Sequence, residues 1–359
     1  MKRSYQYIVF IIVLLFQQSL FAASQFDEAD KILTKFYQNT KVPGLSVSIG
    51  HKGKIVWSKG YGFADVEQQV KIDPANTKMR IGSVAKTLTT FALARLIEEG
   101  KVDLQADVRK YVPEFPKKEH TFTVAQLAGH LAGIRHYNSR DENYSKKPYA
   151  TVMEGLDIFK DDPLLHKPGS KYRYSSYGYN LLSAVIEKAA NENFLDYMQK
   201  VVFDPLGMEQ TYADHLDLII SGRGSYYRYQ DGVLQNEREA DNSYKWAGGG
   251  YISTTDDLVR FGFEHLYPKH IKPETVKLLW TPLKTNDGKA TTYGLAWMSR
   301  TDDDGDFWIG HTGGSVGGTT QFWLFPKYDL VIATVGNQSG LKYGDVILQL
   351  KRQLKKTLK

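Results

Sequence analysis

The chain has 359 residues, 42% of them hydrophobic and 24% charged, a composition that supports a sizeable folded core and excludes disorder as the default state. No cysteine occurs, which excludes disulfides, thiolate nucleophiles, zinc–thiolate sites and lipid attachment at cysteine. The formal charge of +6 is spread among interspersed lysines and acids; the one basic cluster, Lys351, Arg352, Lys355, Lys356 and Lys359, falls on a C-terminal helical pattern and reads as a solvated face, so nucleic acid is not indicated.

Residues 1–22 read as a signal peptide. Lys2 and Arg3 precede an apolar run from Ile8 to Phe16, and small residues at Ala22, Ala23 and Ser24 suit a signal peptidase. Gln17 and Gln18 end the run well short of the about 20 residues that span a bilayer as a helix. The expectation is cleavage and a soluble, periplasmic protein without stable membrane insertion; the alternative is an uncleaved anchor.

Residues 23–359 carry no repeat or linker and read as one domain. Phe26, Ala29, Ile32, Leu33, Phe36 and Tyr37 fall at helical spacing, and Val42-Pro43-Gly44 breaks into the alternating strand Leu45–Ile49. A turn at His51–Lys54 returns the chain as a second strand, Ile55–Lys59. From Ser83 to Glu99 the pattern is a strong helix closed by Gly100. The segment from there to about Gln235 reads as mostly helical, including a helix from Asn180 to Ala189. Past Ala247–Gly250 the strand signal returns at Tyr293–Trp297, Phe307–Ile309, Thr319–Phe325 and Leu330–Val335, before a last helix from about Tyr343. Strands at both ends with helices between predict an α/β (α+β) protein in which the two chain ends close one sheet. The sheet lobe covers about 23–82 and 247–359, and a mostly helical lobe, about 83–246, is inserted. A cleft between such lobes is a usual place for an active site.

Ser83 and Lys86 stand three residues apart at the start of the strongest helix, so their side chains share a face and the lysine amine reaches the serine hydroxyl. Serine is a weak nucleophile at its own pKa, and a lysine with a depressed pKa can take its proton. The tetrapeptide alone is equally an N-cap serine followed by a solvent lysine. Two downstream segments add weight. Tyr174-Ser175-Ser176 sits in a loop leading into a helix, where a phenol can act as general base and acid; with 23 tyrosines in the chain, a packing role stays open. His311-Thr312-Gly313-Gly314 forms a glycine-rich turn before the strand from Thr319, where a backbone N–H can face a substrate carbonyl oxygen, although such turns are also ordinary.

These three segments in this order resemble the active-site motifs of the serine beta-lactamase-like family, which includes class C beta-lactamases, D-Ala-D-Ala carboxypeptidases and related esterases. The resemblance spans nearly all of residues 23–359. Gly133–Tyr137, Phe203–Met208 and Asp241–Gly250 are similar to the mitochondrial serine beta-lactamase-like branch and its bacterial relatives. It implies a beta-lactamase/transpeptidase-like fold with an antiparallel sheet and flanking helices. It also implies Ser83 as nucleophile, Lys86 as activator and Tyr174 as shared acid/base, with Ser176, His311, Thr312, Gly313 and Gly314 binding substrate and the N–H groups of Ser83 and Gly314 as oxyanion hole. Ser176 replaces a common asparagine, and His311 a common lysine. The first departure argues against antibiotic hydrolysis; the second predicts carboxylate recognition tied to an imidazole titrating near 6.5.

Rival sites are weaker. Gly313–Gly317 fits a Gly-x-Ser-x-Gly elbow on Ser315, but no histidine follows it, and a strand rather than a helix comes next. His130 with His136, and His265 with His270, lack the spacing of a metal-binding helix, and no phosphate-cradling motif is present, so neither metal nor cofactor is expected. His130 reads as a structural residue beside the cleft. The resulting expectation is a serine hydrolase forming an acyl-enzyme on Ser83, with a peptide as first choice over an ester or beta-lactam. The alternatives are a penicillin-binding or filament-forming scaffold without turnover, and a promiscuous carboxylesterase; homo-oligomerisation is a further expectation, as a filament subunit requires.

Overall fold

The computed structural model describes residues 25–139 and 141–358; the expected leader, residues 1–22, lies outside them. In chain order the first half contains α1 (Asp27–Thr40), β1 (Gly44–His51), β2 (Lys54–Asp65), β3 (Val70–Lys71), β4 (Met79–Arg80), α2 (Ala85–Glu98) and α3 (Val124–Ala128). Next come α4 (Ser176–Ala190), α5 (Phe194–Met198), β5 (Tyr212–Ala213), the hairpin β6 (Tyr227–Gln230) and β7 (Val233–Asn236), α6 (Trp246–Gly249) and β8 (Tyr251–Ser253). The rest is α7 (Thr255–Leu266), α8 (Pro273–Trp280), β9 (Met298–Thr301), β10 (Phe307–Ser315), β11 (Gly318–Phe325), β12 (Leu330–Gly336) and α9 (Val346–Thr357).

Two compact units divide these elements. One unit holds α1 and α9, where Phe36 stacks on Tyr343 with ring centroids 5.2 Å apart. Within α9, Ile347, Leu350, Lys351 and Leu354 share a face at helical spacing and all are buried. Lys351 therefore departs from the expected solvated basic face: its position in the helical repeat falls on the apolar side.

The second unit, residues 42–341, carries a seven-stranded sheet in the order β3-β2-β1-β12-β11-β10-β9. Every neighbouring pair is antiparallel, and β1 meets β12 from Leu45↔Gly336 to His51↔Leu330, so strands from the two ends of the sequence lie side by side. The strand expected at Leu45–Ile49 alternates apolar residues with serine, yet both sets are buried. The serines face the start of α7: Ser46 Oγ lies 2.7 Å from Thr255 Oγ1, and Ser48 Oγ donates to Asp256 Oδ1 at 2.6 Å, which satisfies hydroxyls that burial alone would destabilise.

Two expectations need correction. Tyr293–Trp297 is not a strand: Gly294 N donates to Trp297 O, Ala296 has φ 70°, and the chain turns to bury Trp297 against Phe261 and His265 before β9 begins. The segment from Gly100 to Gln235 is less helical than expected. Apart from α4, its α-helices α3 and α5 have five residues each, and irregular chain dominates.

Short strand β4 delivers the chain to Ser83, and a buried ion pair fixes it. Arg80 Nε donates to Asp214 Oδ2 at 2.6 Å, Nη1 to Val316 O at 3.0 Å, and the guanidinium lies 4.3 Å from the Tyr226 ring. Removing one partner leaves the other charge buried and uncompensated. Arg80→Met is expected to cost about 3–5 kcal/mol of stability, read as a lower midpoint in urea unfolding; an unchanged midpoint refutes the anchoring role.

Candidate active site

Gly82, Ser83 and Val84 form a single 3-10 turn that runs directly into α2. Gly82 has φ 51°, and a Cβ there would lie 2.7 Å from the Gly314 carbonyl oxygen. At Gly313 a Cβ would come within 2.0 Å of Ile81 O. These two glycines let the nucleophile turn press against β10, bringing the backbone of Gly314 beside Ser83. Ser83 makes no helix-capping bond, and Lys86 is fully buried, so neither half of the N-cap and solvent-lysine alternative holds.

Lys86 Nζ lies 3.2 Å from Ser83 Oγ, 3.2 Å from Ser176 Oγ and 2.5 Å from Gly248 O. Burial, reinforced by the nearby charge of Lys245, holds its pKa well below the ordinary lysine range. The amine is thus suited to accept a proton at neutral pH. Tyr174 lies on the other side: its ring centroid is 5.0 Å from Lys86 Nζ, and it hydrogen-bonds Ser83 and Ser176. Burial pushes its phenol up, against the pull of those hydrogen bonds, so it stays protonated and can donate.

The Tyr-Ser-Ser segment is held from both sides. Ser175 caps α4, accepting from Gly178 N at 3.0 Å and donating to Arg135 O at 2.6 Å. The N–H groups of Ser175 and Ser176 donate to His130 Nδ1 at 3.2 Å and His136 Nδ1 at 3.1 Å. Both imidazoles are pushed down by burial and by the charge of Lys86, His136 to about 4, which preserves them as neutral acceptors. His130 also takes φ 61°, a backbone conformation rare outside glycine, and its ring centre is 4.2 Å from that of Tyr174. These paired histidines are positioning residues; the sequence marks His130 as a structural residue beside the cleft, whereas it raises His136 only for metal spacing. The useful signal was that both flank Gly133, ahead of a tyrosine loop.

Ser83, Tyr174, Ser176 and Gly314 line a cleft of about 510 Å³ together with Tyr137, Lys245, Gly249 and Val316. His311, Thr312 and Gly313 are not among the lining residues. They lie within β10, not in a turn before a strand, because β11 pairs with them one by one, from His311↔Phe322 to Ser315↔Gly318. The structure does not favour the charged role expected of His311, whose ring is buried away from the cleft lining. Nδ1 lies 2.5 Å from Thr312 O and Nε2 2.8 Å from Tyr293 OH, so Nδ1 carries the proton and Nε2 accepts. Burial and the charge of Lys86 push the ring down to about 3. A neutral, bonded imidazole does not supply a cation to a substrate near neutral pH. Ser315 Oγ is buried without a hydrogen-bond partner among the described residues, hence without a base beside it, which argues against the rival nucleophile.

The comparisons with known proteins agree with this geometry. The family model described as "Beta-lactamase" matches residues 29–355. The human "Serine beta-lactamase-like protein LACTB, mitochondrial" is 33% identical over 88% of this chain and 74% of its own length. A structure of the octameric penicillin-binding protein homologue from Pyrococcus abyssi superposes with TM-score 0.79 at 26% identity, over 91% of this chain and 76% of that one. The beta-lactamase/D-alanine carboxypeptidase of Pseudomonas syringae, at 18% identity and TM-score 0.77 over 93% and 99% of the two chains, shares the fold. With the sheet, the cleft and the Ser83–Lys86 pair in place, the chain belongs to the beta-lactamase family of the penicillin-binding-like serine hydrolase superfamily.

Proposed function

We propose that the protein hydrolyses an amide or ester through an acyl-enzyme on Ser83, with peptides as the first substrate class. The observation that carries this reading is the buried Lys86 amine 3.2 Å from Ser83 Oγ. Neutral Lys86 takes the hydroxyl proton as Oγ attacks the carbonyl carbon. The oxyanion is met by the backbone N–H groups of Ser83 and Gly314. Tyr174 donates its proton to the leaving nitrogen or oxygen, which leaves a phenolate beside the Lys86 ammonium. Water then attacks the ester: Tyr174 takes a proton from it, and Lys86 gives its proton back to Ser83 Oγ as the acyl group leaves.

A fluorophosphonate probe tests the assignment without a known substrate. Intact mass is expected to show one adduct on the native chain and none on Ser83→Ala. Equal labelling of the two proteins rejects Ser83 as nucleophile. Release of a chromogenic leaving group separates turnover from single acylation: a burst followed by a steady phase marks an enzyme, and a burst alone marks a receptor.

A further inference from the structure

Lys245 is the unexplained group in the cleft. It is 4% exposed, lines the same cleft as Ser83, and its Nζ has no hydrogen-bond acceptor or salt-bridge partner among the described residues. Only aromatic rings attend it: Nζ lies 5.1 Å from the centroid of Tyr244 and 5.9 Å from that of Tyr137. The nearby carboxylates are engaged elsewhere. Asp214 takes Arg80 Nε at 2.6 Å and Asn242 Nδ2 at 2.8 Å, while Asp241 takes the backbone N–H of Ser243 at 2.8 Å and its hydroxyl. An ammonium withdrawn from water without a counter-ion is strongly disfavoured, and an anion entering from the open side would supply what the fold omits.

We propose that Lys245 is the specificity residue of this site and binds a carboxylate carried by the substrate, so that the cleft selects acyl donors with a free acid group. The inference rests on acylation at Ser83. It gives the cleft the cation that neutral His311 does not provide. The surrounding charges agree. Burial, with Arg80 adding to it and Asp214 and Asp241 opposing, pushes Lys245 down to about 7; Lys86 on α2 is the other amine nearby, and Tyr137 and Tyr244 are neutral phenols raised by burial. A bound carboxylate would hold the proton on Lys245.

The test uses nitrophenyl half-esters of straight-chain diacids alongside the same compounds with the free acid capped as a methyl ester, and reads nitrophenol release. For the best chain length, the native protein is expected to favour the free acid over its capped form by at least about tenfold in kcat/KM, a factor typical of one paired charge. In Lys245→Met that ratio is expected to collapse towards one, mainly through KM, and Lys245→Arg to restore most of it. A ratio that stays the same in Lys245→Met, with both compounds slowed together, assigns Lys245 a structural role and overturns the proposal. Fluorophosphonate labelling keeps the failures apart: a flat ratio on a protein still labelled at Ser83 rejects only the carboxylate site, whereas no labelling and no nitrophenol release reject the acyl-enzyme as well.

Discussion

Lys86→Met is expected to slow acylation of Ser83 at pH 7 by about a hundred- to ten-thousand-fold, the range over which a positioned general base contributes. Methionine nearly fills the volume of lysine but has no basic nitrogen, and the position is fully buried, so no other base replaces it. Lys86→Arg is not expected to rescue the rate, because a guanidinium stays protonated where a buried amine does not. The direction of the Lys86 shift fixes the pH profile. A lowered pKa favours the free amine, and acylation falls on the acid side as Lys86 gains a proton. Removing the positive neighbour in Lys245→Met relaxes the depression and moves that limb to higher pH. Stopped-flow release of nitrophenol checks both statements; acylation by Lys86→Met within a few-fold of the native rate would show that another group activates Ser83.

The site was legible where its geometry is local. Ser83 and Lys86 meet because one helical turn brings them together, a relation that spacing alone encodes. Tyr174, Ser176 and Gly314 reach Ser83 from distant segments, and only the order of the motifs pointed to them. Lys245 was not legible. In the sequence it is one lysine before Trp246, and its significance lies in being buried without a counter-ion, a property of the finished fold. His130 was legible only as a structural residue beside the cleft, and the positioning role of His136 was not legible, for the same reason: each accepts a backbone N–H from a residue forty or more positions away.

The fold followed a similar rule. Alternation marked β1, and strand-like runs marked β11 and β12; all three pair along most of their length. At Tyr293–Trp297 the apolar run mimicked a strand, but those residues face the core from a turn instead of pairing in a ladder. Helix α7 went unassigned although its signals are present: Thr254 caps Asp257 N, and Leu258, Val259, Phe261 and Gly262 repeat at helical spacing.

The stability of the protein is expected to fall steeply between pH 6.5 and 4, because the fold buries histidines in neutral form. His265 is the clearest. Its ring packs among Phe91, Phe261 and Trp297, both nitrogens lack a hydrogen-bond partner among the described residues, and burial pushes it down to about 3. Above 6.5 the ring is neutral in the folded and unfolded states alike, so its contribution is fully present. Below 6.5 the unfolded chain gains a proton that the folded chain refuses, and stability is lost as the pH falls towards 3. At pH 4 that loss is about 3 kcal/mol for His265 alone, and His311, likewise pushed down to about 3, adds a loss of the same sign. Together these approach the total stability of an ordinary domain, about 5–15 kcal/mol. Urea unfolding at a series of pH values gives the slope, and His265→Phe, which keeps a ring in the aromatic cluster, is expected to flatten it by the His265 share. Parallel curves for the two proteins would show that His265 is not the proton-linked group.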